Sequence, residues 1–357
     1  MPLLPLVGHG PLRDRLRNAV DRGALPASLL LHGPRGVGKQ RLALWLGQLL
    51  LCTAPGDRPC GACTACRYAL ALAHPDLRWF FPRPRLANAD ATSDDVLADY
   101  AEALGERAER GGLHAPPEGT EGLFVATVRA IVHLAAQTPA LGRRKVFVVG
   151  DAERMVPQEG ADQAANAFLK LLEEPPADTT LILTTSEPGA LLPTIRSRVV
   201  AVRVPALPDT EVRELLAVPE FAAALDAADV PAGLEHRLAA AAGAPGRLLG
   251  TSMERDALET ARTLLGSIAH DRGSQVSAIA ALGSSRARGL FTGVLDALAL
   301  LLRSRVEDAV RLGDRRRAVA AARGVELVEE AKLRAAGNVN PQLIGASLLR
   351  GFMELGV

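Results

Sequence analysis

The sequence is short of aromatic residues, of net charge and of long apolar runs, and each shortage excludes a class of function. Phe, Tyr and Trp make up 3% of the 357 residues, which argues against nucleic-acid recognition by base stacking, because that needs exposed aromatic faces. The balance of 41 Lys and Arg against 40 Asp and Glu leaves a net charge of +1. No global basic field therefore drives non-specific DNA binding, and any DNA contact must be local. The apolar stretches fall well short of a membrane span, and Met1-Pro2-Leu3-Leu4-Pro5 lacks a basic segment with a long apolar run. A cytoplasmic chain with no membrane partner is expected. Cysteine is absent outside residues 52–66.

The four cysteines that are present fall as Cys52-x7-Cys60-x2-Cys63-x2-Cys66. A reducing compartment favours metal binding over disulfides at such spacing. Four thiolates can wrap one tetrahedral Zn2+, and Pro55-Gly56-Asp57 with Pro59 gives the chain room to come round. With no neighbouring His or carboxylate at ligand spacing, a closed structural zinc is expected. Buried free thiols or disulfides are the alternative.

Hydrophobic residues make up 48% of the chain, and its length suggests about two or three domains. Leu29-Leu30-Leu31-His32 runs into Gly33-Pro34-Arg35-Gly36-Val37-Gly38-Lys39-Gln40, followed by helical spacing from Arg41 to Trp45. Strand, glycine loop and helix stand in the order a phosphate-binding loop requires. Gly33, Gly36 and Gly38 let backbone N–H groups converge on a phosphate at a helix N-terminus, and Lys39 would reach the outer phosphates. The next residue should be Ser or Thr, whose hydroxyl helps to hold Mg2+, and it is Gln40. ATP or ADP is thus a candidate ligand, while Gln40 argues against Mg2+. Val146-Phe147-Val148-Val149-Gly150-Asp151 is an apolar strand ending in an acid, where a nucleotide-binding sheet places its metal-coordinating carboxylate. Ala152 stands where an active ATPase carries a water-activating Glu, and Glu153 is displaced by one position.

Around these motifs, residues 10–28 read as a helix ending near Gly23, and His74-Pro75-Asp76 introduces a strand to Phe81 with His74 as a turn or capping residue. From Arg85 to Glu121, nine acidic residues (Asp90, Asp94, Asp95, Asp99, Glu102, Glu106, Glu109, Glu118 and Glu121) stand against three basic ones. With Gly111-Gly112 and Pro116-Pro117-Glu118-Gly119 near its end, this reads as a solvated surface insertion holding one helix near 93–109. Val125 to Ala135 is an amphipathic helix, and Ala164 to Glu174 is a helix that Pro175-Pro176 stops. Thr180 to Ser186 is a buried strand with a polar end, and a last strand runs from Val200 to Val204. Helices dominate after Pro208. One carries Leu290, Phe291, Val294, Leu298, Leu301 and Leu302, and another Val325, Leu327, Val328 and Leu333. Asn338-Val339-Asn340-Pro341 caps a last one with Leu343, Ile344, Leu348, Leu349 and Phe352.

Taken together, the phosphate loop, the four-cysteine module after its helix, His74-Pro75-Asp76, the Asp151 strand, Asn166 to Pro176, Thr184-Thr185 and Ile195-Arg196-Ser197-Arg198 resemble the clamp-loader branch of the AAA+ ATPases in bacterial DNA polymerase III. The resemblance covers most of residues 10–205. It implies an α/β AAA+ domain with a RecA-like parallel sheet and a small zinc module over 1–205, a helical lid over 206–250 and an all-α collar over 251–357. It also implies that Arg198 acts as an arginine finger in the ATP site of a neighbouring subunit, with Val199 replacing the family's usual Cys. Without the motif, Arg198 reads as a surface ion pair, and Arg196 as a solvated neighbour. Thr184 would be the polar nucleotide sensor, unless Thr185 takes that place. Arg247, in Gly243-Ala244-Pro245-Gly246-Arg247, would be the lid residue aimed at phosphate, a helix-capping Gly-Pro turn being the alternative. The implied partners are the gamma/tau and delta subunits, with the sliding clamp and primer–template DNA reached through the complex. A largely non-hydrolysing stator is expected. The rivals are a gamma/tau-type motor that turns ATP over itself and a zinc-dependent nucleic-acid-binding protein.

Overall fold

The computed structural model describes residues 2–88, 91–114, 121–155, 162–228, 230, 233–250, 252–268, 270–282, 287–336 and 340–356. Asp90, the Pro116-Pro117-Glu118-Gly119 turn, Asn338, Val339 and the side chain of Leu290 lie outside the described residues. The chain forms two compact units, Met1–Leu249 and Gly250–Val357.

In the first unit, α1 (Gly10–Asp21) precedes β1 (Ser28–His32), and α2 (Lys39–Leu51) and α3 (Thr64–Leu70) lead to β2 (Leu77–Phe80). Next come α4 (Ser93–Glu109), α5 (Val125–Ala136), β3 (Lys145–Val149), α6 (Asp162–Glu173), β4 (Thr179–Thr185), α7 (Pro193–Arg196) and β5 (Val200–Arg203). Parallel neighbours need crossover connections, and helices supply them. The strands form one parallel sheet in the order β2-β3-β4-β1-β5. Every residue of β3 and β4 is buried, which explains why both read as runs rather than as alternating patterns. Leu31 lies opposite Thr184 and Val149 opposite Leu183, so the ends of β1, β3 and β4 share one edge. Ligands of open α/β sheets bind at that edge.

The acidic segment is not solvated throughout, which corrects the reading of it as wholly solvated. α4 matches the expected helix, but Val96, Tyr100 and Ala103 are buried. Their spacing makes one apolar stripe, with the acids on the other faces. The Tyr100 hydroxyl donates to Phe81 O at 2.5 Å, and its ring meets Phe80 and Phe81 edge-on. Thr92 and Asp95 form a capping box, and Arg83 grips the Asp99 carboxylate through two hydrogen bonds of 2.9 and 2.8 Å.

His74 takes its expected capping role: its Nδ1 accepts from Asp76 N at 3.0 Å. The Asp76 carboxylate accepts from three successive N–H groups, those of Ala140 (2.6 Å), Leu141 (2.8 Å) and Gly142 (2.6 Å). This clamp fixes the turn that delivers the chain into β3. Burial alone would raise the Asp76 pKa, but the three donors hold it below the usual carboxylate value. After β5, α8 (Asp209–Leu216), α9 (Pro219–Ala227) and α10 (Leu234–Ala241) complete the unit, with Val212, Phe221, Leu225 and Leu238 joining its core.

The second unit contains α11 (Ser252–Ser267), α12 (Arg272–Ala281), α13 (Ala287–Arg311), α14 (Arg315–Ala336) and α15 (Pro341–Leu355). Leu264, Val294, Leu298, Leu302, Val328, Ile344 and Phe352 build its core. Asn340 caps α15 by accepting from Gln342 N at 2.9 Å. Leu333 and Leu343, expected on apolar faces, are 77% and 66% exposed. Leu333 stands five residues beyond the buried Val328, about 140° around the helix, so both cannot face the same core. Among the described residues no helix is long and apolar enough to cross a membrane.

Candidate functional site

The phosphate loop spans Gly33 to Gly38 between β1 and α2. Gly36 is required twice over: its φ is +80°, and a Cβ there would stand 2.6 Å from Arg247 N. Gly246 N donates to Gly36 O at 2.9 Å, so the Gly243–Arg247 turn packs directly on the loop and Arg247 is brought to it. Lys39 is buried, with Nζ donating to Gly33 O (3.0 Å), Pro34 O (2.9 Å) and Ser186 Oγ (2.9 Å). Burial pulls its pKa down to about 8, against the Asp151 and Glu153 carboxylates that favour the ammonium.

Gln40 is also buried. Its Nε2 donates to Asp151 Oδ2 at 2.9 Å, and its Oε1 accepts from Trp79 Nε1 at 2.9 Å. Asp151 follows β3 in a left-handed conformation, φ +47°, and its N–H donates to Thr184 Oγ1 at 3.2 Å. Thr184 is thereby set beside the acid. Thr185 Oγ1 instead accepts from Glu187 N at 3.0 Å. The structure therefore gathers Gly33, Gly36, Gly38, Lys39, Gln40, Asp151, Thr184 and Arg247 around one sheet edge.

Sequence reasoning missed three neighbours of this site. Ala152–Arg154 forms a tight helical turn that swings Glu153 back, where Oε1 accepts from Ser186 N at 3.1 Å. Burial and the nearby Asp151 raise the Glu153 pKa. His9 Nε2 lies 2.9 Å from Val37 O, tying the N-terminal segment to the loop, and burial lowers its pKa. The Arg107 guanidinium sits 4.4 Å from the Trp79 ring centre and stacks on Phe81. Burial pulls its pKa down to about 9, against the attraction of Asp151. None of these contacts joins residues close in sequence. Only the one-position offset of Glu153 carried a local signal.

Arg198 is held on other partners. It pairs with Glu173 at 2.6 Å, and Nη1 donates to Thr194 O at 2.8 Å and to Ser197 Oγ at 3.3 Å. Arg196, at the end of α7, is exposed.

All four cysteine sulfurs lie within 4.8 Å of one another and could hold one metal ion. Cys60 and Cys66 approach to 3.9 Å, and Cys52 and Cys63 to 4.0 Å. Backbone N–H groups of Cys60, Cys63 and Cys66 point at the sulfurs of Cys52, Cys60 and Cys63. Burial would raise the Cys63 thiol, but N–H donors of Cys66 and Thr53 outweigh it and hold the pKa to about 6. Arg17 Nε donates to Arg58 O at 3.0 Å, and Arg58 pairs with Asp21 at 2.5 Å, fixing the cysteine loop to α1.

A parallel sheet with a phosphate loop after β1, an acid after β3 and a polar end on β4 defines an AAA+ P-loop domain. Residues 8–208, more than half of the chain, match the family described as DNA polymerase III, delta subunit, and the chain belongs to that family. It is 37% identical to DNA polymerase III subunit delta' of Pseudomonas aeruginosa over 172 residues, 48% of this chain and 40% of that protein. With DNA polymerase III subunit delta' of Escherichia coli it shares 32% identity over 186 residues, 52% of this chain and 44% of that one. DNA polymerase III subunit gamma/tau of Mycobacterium tuberculosis is 33% identical over 213 residues, 59% of this chain and 30% of that protein. The chain spans less than half the length of these relatives.

Proposed function

We propose that this chain is the delta-prime-type subunit of a DNA polymerase III clamp loader, a cytoplasmic stator that assists its neighbours' ATPase and turns over little or no ATP itself. The observation that carries the reading is at its own phosphate loop. The cradle and Lys39 are kept, but the metal-holding position is Gln40, already engaged by Asp151 and Trp79, and the water-activating position is Ala152. Losing both groups removes the metal and the base that P-loop hydrolysis uses. ATP or ADP binds in the loop between Lys39 and Arg247, with Thr184 sensing it beside Asp151.

Arg198 acts in trans. Its guanidinium is held by Glu173 and Thr194 rather than left to roam, and a positioned arginine beside a γ-phosphate stabilises the charge that develops during transfer. The neighbours are gamma/tau and delta subunits, assembled through the collar formed by α11–α15, with α8–α10 as the lid. Through that complex the chain serves the loading of the sliding clamp on primer–template DNA. The metal of Cys52, Cys60, Cys63 and Cys66 is zinc, the ion that four thiolates at this spacing take in closed structural sites. Two sulfur pairs approach to 3.9 and 4.0 Å and all four lie within 4.8 Å, near the tetrahedral edge of about 3.8 Å that Zn–S bonds of about 2.3 Å give.

The gamma/tau-type motor remains the rival with an observation behind it, the 33% identity to a gamma/tau subunit. ATP turnover by the purified chain alone separates the two. The stator shows none above background, whereas a motor hydrolyses ATP and loses the activity with Lys39→Ala. A DNA-reading zinc module fits less well, because Arg58, one of the two basic residues flanking the cysteines, is tied to Asp21.

A further inference from the structure

In a P-loop NTPase, the hydroxyl after the loop lysine and the acid after β3 hold Mg2+ together. The geometry here does not fit that ion. Gln40 is long enough to span from α2 to both neighbouring strands, and each end of its amide is engaged. The N–H end donates to Asp151 Oδ2, and the oxygen, its only atom able to ligate a hard cation, accepts from the Trp79 indole. The backbone beside this amide is a glycine. A Cβ on Gly150 would stand 2.4 Å from Gln40 Oε1, so the glycine before Asp151 is what lets the amide lie there. Trp79 is in turn held in place, 3% exposed and stacked beside the Arg107 guanidinium. Mg2+ demands oxygen ligands at about 2.0–2.1 Å in near-octahedral order. An ion on Asp151 Oδ2 and Gln40 Oε1 would compete with the N–H donors that both oxygens already accept.

We propose that the Gln40–Asp151–Trp79 chain closes the metal position, so that the loop takes nucleotide as the metal-free polyanion, its phosphates met by Lys39 and the loop N–H groups. This rests on the reading that the loop binds nucleotide. It makes binding a device separate from hydrolysis. The nucleotide enters and leaves without the ion that hydrolysis needs.

Two measurements on the full chain test it. The first is titration with a fluorescent ADP in Mg2+-free buffer and again in millimolar Mg2+, without a strong chelator that would strip the cysteine site. The wild type binds with affinities within about twofold of each other, whereas Gln40→Thr, which supplies the missing hydroxyl and releases Asp151, gains about tenfold or more from Mg2+. The second needs no variant at the site: 19F-labelled Trp79, assigned with Trp45→Phe, is titrated with Mn2+ with and without ADP. Its resonance stays sharp if the metal position is closed. A tenfold gain from Mg2+ in the wild type, or broadening of the Trp79 resonance by stoichiometric Mn2+, overturns the proposal. Failure to bind ADP in either buffer contradicts the nucleotide reading and with it the metal-free ligand, while a sharp Trp79 resonance still upholds closure of the metal position.

Discussion

The cysteine module and the phosphate loop are both places where several donors converge on one point, and they differ in whether the set is complete. Around the cysteines, four sulfurs lie within 4.8 Å of one another, backbone N–H groups support three of them, and the loop between is anchored on α1 through Arg17 and Arg58. Around the phosphate loop, the glycines and Lys39 are in place, but Gln40 and Asp151 satisfy each other. A complete donor set is able to hold an ion. An incomplete one whose members bond among themselves has become part of the framework, and a framework can still cradle a ligand without acting on it.

The largest effect should come from emptying the complete set. Structural zinc contributes about 10–16 kcal/mol of apparent binding energy in small modules. Purified protein should carry one equivalent of zinc by metal analysis, and Cys66→Ser should lose it together with several degrees of thermal stability. Less than about half an equivalent after anaerobic preparation would break the comparison at its firmer end.

Asp76 is a second complete set, three N–H donors on one carboxylate, and it should come next. Asp76→Asn removes the charge and leaves fewer acceptor sites, a loss of about 1.5–3 kcal/mol at neutral pH in denaturant unfolding. Because its pKa is lowered in the folded protein, the contribution is fully present above the unfolded value of about 3.9 and is lost as pH falls through the folded one. Wild type and variant should therefore converge in strong acid, and a gap that persists there would mean that packing, not charge, is what Asn disturbs.

At the incomplete set the expected effects are smaller. Lys39 has its pKa pulled down to about 8, and a polyanion favours its ammonium, so binding above that pH takes up a proton. ADP affinity should be flat between about pH 7 and 8, where its terminal phosphate is ionised, and fall by roughly tenfold for each unit above that. A pH-independent affinity would remove Lys39 from the phosphate contact. Smallest of all, Glu173→Gln breaks an ion pair whose Glu173 partner is 48% exposed, and pairs of that kind are worth about 0–1 kcal/mol. A larger loss of stability would mean that Arg198 is a structural strut and not a residue held ready for another subunit.

Much of this was legible in the chain. The order of strand, loop and helix, the acid after β3, the cysteine spacing and the bounds of α4 all follow from local pattern, because propensity, capping and glycine geometry act over a few residues. What was not legible is non-local. Gln40 reads as a missing ligand; that it bonds Trp79 and Asp151 depends on β2 and β3 lying side by side in the sheet, which no spacing encodes. The acidic segment misled for a related reason. Its charges dominate the composition, while Val96, Tyr100 and Ala103, spaced along one stripe, decide where the helix sits. Glu153 shows how far one residue's offset can be undone, since the tight turn after Asp151 returns its carboxylate to Ser186.

The chemistry we propose for this chain takes place in the neighbouring subunit. ATP turnover by the reconstituted clamp loader, stimulated by clamp and primed DNA, with Arg198→Ala in this chain alone, tests that most directly. Arginine fingers are worth about 10³–10⁵ in rate, so turnover at the site beside this chain should fall by about a hundredfold or more while the complex still assembles. Turnover at the wild-type level would contradict the account.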